Sequence, residues 1–344
     1  MRVLVTGGAG YIGSQTAKCL ARSGFEPVVL DDFRTGHRWA VRWGPLIECD
    51  LADTETVREA VRASGVEAVV HFAADAYVGE SMRNPQGFFR NNVVNTLGLL
   101  DAMLDVGVRT IVFSSTCATY GAAETGPITE NHPQRPTSPY GESKLFVERV
   151  LGWYGAAYGL RWSALRYFNA AGADPAGELG EVHEPEPHLI PLAVQAALGA
   201  RSWLSVYGTD YPTPDGTAIR DYVHVEDLAR AHVLALQHLI SGGESGPLNL
   251  GTGTGYSVRA VIRAVEEVGG RRVPVRAAPR RPGDPPELVA NAGRAAEVLG
   301  WYPEHSSLAT IVRTAWAWDV ARLQGASVAV PVEGAMGWAD APRR

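Results

Sequence analysis

The hydrophobic positions of the first half of the chain fall into short continuous runs rich in β-branched residues, at Arg2–Thr6, Pro27–Asp31, Leu46–Cys49, Ala68–Phe72, Thr110–Ser114 and Ser163–Tyr167. Each predicts a strand. Between them, helix-length segments lie near 12–22, 53–63, 91–106 and 140–158. Runs such as Val3-Leu4-Val5 and Thr110-Ile111-Val112-Phe113 do not alternate with polar residues. A strand that is apolar on both faces is covered on both faces. The pattern therefore predicts an α/β fold, a Rossmann-like doubly wound parallel sheet between two layers of helices.

After Asn169 the texture changes. Residues 172–188 are loop-forming and acidic, and 207–217 and 279–287 are rich in Gly, Pro and Asp. Loops of that length in a compact protein usually carry function. They predict a smaller mixed α/β lobe for a substrate. The expected division is 1–169 plus about 223–250 in the sheet domain, 170–222 plus about 251–325 in the substrate lobe, and a loose tail at 326–344.

Composition narrows the possibilities. The chain has 344 residues, 46% of them hydrophobic, and a formal net charge of −6. That charge gives no basic footprint for nucleic acid. No apolar run approaches the ~20 residues that cross a bilayer, and the first strand leaves no room for a leader peptide. Cys19, Cys49 and Cys117 are odd in number and scattered, so neither a disulfide framework nor paired zinc spacing is expected. A reducing cytoplasm fits. The nine histidines show no His-x-x-x-His or His-Glu pattern of the zinc-helix type, which predicts no metal. His71, at a strand end, reads as a packed core histidine.

Val3-Leu4-Val5-Thr6-Gly7-Gly8-Ala9-Gly10-Tyr11-Ile12-Gly13 is a strand, a turn and a helix start, with glycines at 7, 10 and 13. Glycines there permit a tight turn and close backbone approach to a pyrophosphate, which helix N-terminal amides then face. Asp31 ends the next strand. A carboxylate at that place holds ribose hydroxyls and repels a 2′-phosphate, which favours NAD over NADP. Arg34 is the one feature pointing the other way. The glycines of Gly251-Thr-Gly-Thr-Gly255 follow a second strand, but Ser257 reads as the cap of the next helix, and the run is expected to be loop geometry.

Tyr140-Gly-Glu-Ser-Lys144 places a phenol and an ammonium four apart on one helical face. Lys18 and Lys144 are the only lysines, and the other 29 basic residues are arginine, so a Tyr-x-x-x-Lys pair is an uncommon coincidence. A positive charge ~5 Å from the phenol is worth about 3 kcal/mol at an effective dielectric of ~20. That would bring tyrosine from about 10 to about 8 and make it a base. The end of the Thr110–Thr116 run supplies a hydroxyl.

The glycine turn, Ser114-Ser-Thr-Cys-Ala-Thr-Tyr-Gly121 and the Tyr-x-x-x-Lys pair resemble the extended short-chain dehydrogenases/reductases. Leu165-Arg-Tyr-Phe-Asn169, His188-Leu-Ile-Pro191, Tyr207-Gly-Thr-Asp-Tyr-Pro212, Arg220-Asp-Tyr-Val-His224 and Arg281-Pro-Gly-Asp284 resemble the UDP-sugar 4-epimerases within them, over about residues 1–322. The resemblance implies Thr116, Tyr140 and Lys144 as catalytic residues. It implies NAD held by Gly7, Gly10, Tyr11, Ile12, Gly13, Asp31, Asp32, Asp50, Leu51, Phe72, Ala73, Ala74, Asn91, Tyr140, Lys144 and Phe168. It further implies a UDP-sugar held by Asn169, His188, Leu189, Arg220, Tyr222, Arg281, Asp284 and Leu288, and a homodimer through the helices near 91–106 and 140–158. Arg220 and Arg281 suit phosphate oxygens as planar donors.

Three positions depart from the family pattern. Ala76 stands where many relatives have lysine, His188 where an asparagine is found, and Leu288 where a bulky tyrosine lies near C2 of the sugar. A smaller residue at 288 leaves room for an N-acetyl group. The expected reaction is C4 inversion of UDP-glucose/UDP-galactose through a transient 4-keto sugar with tightly held NAD. UDP-N-acetylglucosamine and UDP-pentoses are alternative substrates. An NDP-sugar 4,6-dehydratase is the alternative reaction, but Cys117 and Ala118 stand where that family carries an Asp-Glu pair, and UDP-glucuronate decarboxylases are disfavoured in the same way. A non-catalytic NAD-sensing module would tend to lose the tyrosine–lysine pair, which is intact.

Overall fold

The computed structural model describes residues 1–122, 126–281 and 283–324; the expected tail at 326–344 lies outside them. Alternation of strand and helix builds the first layer: β1 (Arg2–Thr6), α1 (Tyr11–Arg22), β2 (Glu26–Asp31), β3 (Leu46–Glu48), α2 (Thr54–Ser64), β4 (Ala68–His71), short α3 (Val78–Ser81) and α4 (Pro85–Phe89), α5 (Asn95–Asp105), β5 (Thr110–Thr116), α6 (Pro139–Tyr158) and β6 (Arg161–Tyr167). Later come β7 (Asn169–Ala171), α7 (Leu189–Leu198), β8 (Leu204–Tyr207), β9 (Ile219–His224), α8 (Val225–Ile240), β10 (Gly246–Leu250), β11 (Gly255–Ser257), α9 (Val258–Gly269), β12 (Val275–Ala278), β13 (Glu287–Leu288), α10 (Gly293–Leu299) and α11 (Leu308–Leu323).

Seven strands pair in parallel in the order β10-β6-β5-β4-β1-β2-β3. Residues of each strand point alternately to two cores. Leu4, Val69, Ile111 and Phe113 pack with α2, α5 and α6 through Val57, Leu99, Met103 and Leu151. Val3, Val5, Val70 and Val112 pack with α1 and α8 through Ala17, Leu20, Leu228 and Leu236. Double coverage is why these strands carry no polar alternation. The strand order reverses between β1 and β4, and a crevice at such a switch point is where ligands bind in this architecture.

A third core joins α7, α9 and α11 through Ala193, Val194, Val261, Val265, Ile311 and Val312. Beside it a small sheet runs β11-β9-β13, with β7 also pairing β9. Residues 293–301, expected in the substrate lobe, pack instead on the seven-stranded sheet. Ala295 and Trp301 belong to the core of α1 and α8, and the Trp301 indole donates to the Asp227 carbonyl at 2.9 Å. A fully buried indole needs both an apolar pocket and an acceptor, and α8 supplies both.

Candidate active site

The glycine turn is tight for stated reasons. Gly7 has φ +69°, and a Cβ there would meet the Ala73 nitrogen at 2.6 Å. A Cβ on Gly13 would meet the Gly7 carbonyl oxygen at 2.2 Å. The turn is thus pressed against the end of β4, where the Phe72 and Ala73 amides both donate to the Thr6 carbonyl. Helix α1 opens with Gly10 as its cap, no side chain satisfies its first amides, and no acid occupies its first turn. Free helix N-terminal donors with a nearby crevice fit a dinucleotide pyrophosphate. Tyr11 and Ile12 lie in that first turn, and the Tyr11 hydroxyl donates to Gly172 O at 2.6 Å.

Asp31 closes β2 and is buried. Its carboxylate accepts from the amides of Ala9 and Phe33, both at 2.9 Å, and burial raises its pKa against these bonds. Asp31 therefore also fixes the glycine turn, a role the sequence reading did not give it. Asp32 answers the question raised by Arg34: Arg34 Nε lies 2.6 Å from Asp32 Oδ2, and its guanidinium also donates to Asn91 Oδ1 at 2.8 Å. Arg34, Asp50, Asn91 and Asn95 line an open cleft of about 370 Å³ next to this end of the sheet. Leu51 is buried in the core beside it.

At the centre, Thr116 ends β5 and caps the turn that follows, its hydroxyl accepting from Ala118 N at 3.1 Å. Helix α6 starts at Ser138, whose hydroxyl accepts from Gly141 N at 3.2 Å, with Pro139 in the first turn. A Cβ on Gly141 would meet the Ala118 carbonyl oxygen at 2.5 Å. That close approach brings Tyr140 to Thr116, whose hydroxyl favours the phenolate. Lys144 is buried, donates to the Ser114 carbonyl at 2.9 Å and lies over the Phe113 ring at 4.8 Å. Burial lowers its pKa to about 7, with Asp75 and Glu148 pulling the other way.

One expectation is corrected here. Lys144 was expected to bring Tyr140 down to about 8. In the folded chain burial raises Tyr140 above its ordinary value, Tyr167 adds to the rise and Thr116 opposes it. The ammonium is turned to a backbone carbonyl, so desolvation decides the phenol. Sequence reading also missed two supports. Ser143 and Asn92 bond at 3.0 Å, and Asn92 in turn brackets the backbone of Asp75, its Nδ2 donating to the carbonyl at 2.9 Å and its Oδ1 accepting from the amide at 2.8 Å. Arg166 and Glu148 form a buried ion pair behind β5 and β6, with Tyr120 donating on to Asn249. Ser143 inside the Tyr-x-x-x-Lys segment was the available signal.

Four of the eight residues expected to hold the sugar nucleotide, Asn169, Arg220, Tyr222 and Leu288, lie on the small sheet. Asn169 pairs in register with Tyr222, and Arg220 with Leu288. Arg220 ion-pairs with Asp284, Arg281 stacks over Tyr207 at 4.1 Å, and Tyr222 is buried. Leu288 packs in the cluster of Tyr120, Ile128, Phe168 and Ala290, as does Cys117, the residue after the Thr116 end of β5. Leu189 starts α7. His188 caps α7, and its Nδ1 faces Glu181 at 2.6 Å and Glu186 at 2.8 Å, a partnership no linear spacing revealed. His71 is buried as expected, between Thr6 at 2.6 Å and Thr96 at 2.9 Å. At 251–255 the buried Asp221 carboxylate takes the amides of Thr252 and Gly253 at 2.9–3.1 Å, and Thr254 N donates to the Thr252 hydroxyl, so the run is loop geometry held by its own chain.

Comparison with known proteins follows the same lines. A sequence model described as the NAD dependent epimerase/dehydratase family matches residues 3–251. A UDP-glucose 4-epimerase of Rhizobium leguminosarum bv. trifolii is 52% identical over 316 residues, 92% of this chain and 96% of the relative. The crystal structure of UDP-glucose 4-epimerase from Brucella ovis in complex with NAD superposes with a TM-score of 0.90 at 53% identity, covering 92% of this chain and 97% of that one. A UDP-glucose 4-epimerase from Stenotrophomonas maltophila, with bound NAD and formylated UDP-arabinopyranose, gives a TM-score of 0.91 at 39% identity, covering 94% and 99%. With its glycine turn, its buried tyrosine–lysine pair and these matches over nearly its full length, the chain belongs to the NAD dependent epimerase/dehydratase family.

Proposed function

We propose that the chain is a UDP-sugar 4-epimerase acting on UDP-glucose and UDP-galactose. The observation that carries this reading is the Gly141–Ala118 approach, which sets Tyr140 against Thr116 beside the Gly7–Ala73 crossing. Acid–base groups are thereby held at the mouth of a dinucleotide fold. NAD, when bound, supplies a hydride acceptor that returns the hydride, so no net oxidation occurs.

The chain's residues do the rest. Tyr140 takes the proton of the sugar 4-hydroxyl and gives it back after the 4-keto sugar has turned over. Thr116 donates to the same oxygen. Because burial holds the phenol protonated, Thr116 and neighbouring positive charge must stabilise the phenolate for it to act. Lys144 fixes the strand end through Ser114 and presents its remaining donors to the cofactor ribose. Arg220 and Arg281 hold the pyrophosphate, and Asn169 and Tyr222 line the way to it. Cys117, raised to about 12 chiefly by burial, and Ala118 offer no acid or base for eliminating water.

Leu288 favours a second substrate class. An aliphatic side chain in place of a bulky tyrosine gives an N-acetyl group at C2 more room. We also infer that a second copy covers the helical face bearing Phe89, Val94, Phe146 and Trp153, all exposed. Three free cysteines suit a reducing cytoplasm, and among the described residues no helix is long and apolar enough to cross a membrane.

The test is to incubate the protein with UDP-glucose, UDP-N-acetylglucosamine and UDP-xylose without added NAD and separate the products. A 4-epimer of UDP-glucose is expected. No 4-epimer from any of the three, or accumulation of a 4-keto-6-deoxy sugar, overturns the reading. Tyr140→Phe is expected to lose 10²- to 10⁴-fold in kcat, roughly the range for removing a general base.

A further inference from the structure

Between the dinucleotide turn and the start of α7, the segment Glu181–His188 folds four potential ligands into one knot. Oxygens of Glu181 and Glu186 and nitrogens of His183 and His188 all lie within 4.8 Å of one another. The nitrogen–oxygen separations are 2.6 and 2.8 Å from His188 Nδ1 and 3.2 and 3.5 Å from His183 Nδ1. Two oxygens and two nitrogens around a tetrahedral ion, at ~2.0–2.1 Å each, stand about 3.3 Å apart; the His183 separations match that span, and the His188 separations are of hydrogen-bond length and open slightly to admit an ion.

Three observations argue for more than a hydrogen-bonded cluster. His183 Nδ1 is buried and has no well-aligned hydrogen bond, although it lies 3.2 Å from Glu181 and 3.5 Å from Glu186. Both carboxylates are out of water, with side chains 6% and 7% exposed. Asp319, 5% exposed, adds a third negative group whose own ion pair is with Arg322, and it is close enough to feel Glu181 and Glu186. Buried carboxylates need compensating positive charge; the imidazoles of His183 and His188 supply it across these contacts, and a divalent ion that displaces their two protons supplies it at one point. His188, 45% exposed, gives a route in from solvent.

We propose that Glu181, His183, Glu186 and His188 form a binding site for a divalent transition-metal ion, zinc being the best match to two imidazoles and two carboxylates. The site is structural. Its ring neighbours are Tyr11, 6.5 Å from His183, and Tyr77, 5.8 Å from His183 and 6.3 Å from His188. Tyr11 opens the helix of the glycine turn, and His188 is the cap of α7. An ion here ties the acidic loop to the entrance of both ligand regions.

The experiment is calorimetric titration of zinc chloride into the chelator-treated enzyme carrying its NAD, on wild type, E181Q, H183N and E184Q. Glu184 is exposed and outside the knot. One saturable equivalent per chain is expected in wild type and E184Q, with affinity lower by ~100-fold or more in E181Q and H183N. Thermal melting with increasing zinc should rise for the first pair and stay flat for the second. Cobalt(II) should give visible d–d bands of a tetrahedral site in wild type only. Circular dichroism and retained NAD show which variants are folded; an unfolded E181Q is replaced by E186Q. Zinc binding in wild type no tighter than in folded E181Q or H183N, or no saturable equivalent in wild type, overturns the proposal.

Discussion

Lys18 and Asp174, separated by 156 residues in sequence, meet at 2.6 Å with both side chains 1% exposed, and Glu178 joins the same ammonium at 2.7 Å. One of only two lysines thus clamps the acidic loop onto α1. Removing one partner of a buried pair strands the other charge. Lys18→Met should destabilise the fold by about 3–5 kcal/mol. Urea unfolding followed by fluorescence checks this; a loss under 1 kcal/mol would show that the clamp is dispensable.

The packing of α6 against the Thr116 turn gives a sharper test of the site. Gly141 meets Ala118 O so closely that an added methyl group must push the helix away. Gly141→Ala should cut kcat by at least ~100-fold, the scale of a misplaced catalytic group. The sheet should remain intact by circular dichroism. An alanine variant with near-normal kcat would show that Tyr140 does not depend on this contact.

Three buried histidines set the acid limit of stability. Burial lowers His71 to about 3, and His224 and His232 to about 4. Above pH 6.5 both folded and unfolded chains keep them neutral, and nothing is lost. As pH falls from 6.5 toward 4, the unfolded chain takes up protons that the folded chain refuses, so stability declines. Urea midpoints at pH 7, 6 and 5 should fall, and His232→Gln should flatten the fall by one proton. An unchanged slope in that variant would remove His232 from the account.

Association should depend on the exposed aromatic face. Trp153 is 75% exposed and Phe146 45%, both on α6. Trp153→Glu should turn a dimer into a monomer by sedimentation. A wild-type chain that already sediments as a monomer at micromolar concentration would refute the inferred second copy.

Much of the frame was legible because it rests on local pattern. Buried strands announce themselves as unbroken apolar runs, and the glycine turn, Asp31 and Tyr140–Lys144 each lie within a short segment whose geometry follows from residue type. What escaped was long-range or desolvated. The Lys18 clamp depends on a loop more than 150 residues away. Asp31 was legible as a strand-end carboxylate, but its bond to Ala9 was not. The Glu181–His188 knot has no helical or strand period, because an irregular loop brings its ligands together. The direction of Tyr140 was misjudged because charge spacing can be read from sequence and burial cannot.

The chain contains two glycine turns after buried strands, and Asp221 separates their fates. At Gly251–Gly255 the backbone donors already have a resident anion, held covalently at high effective concentration by β9. At Gly7–Gly13 the Asp31 carboxylate takes only the Ala9 amide, and the first amides of α1 have no side-chain acceptor. The neighbour of Asp221 is Arg220, whose guanidinium pairs with Asp284, so one strand fills the second turn with an anion and carries a cation beside it. Two similar sequence patterns are thereby told apart by what fills them: the second turn holds an anion from its own chain, and the helix start after the first does not.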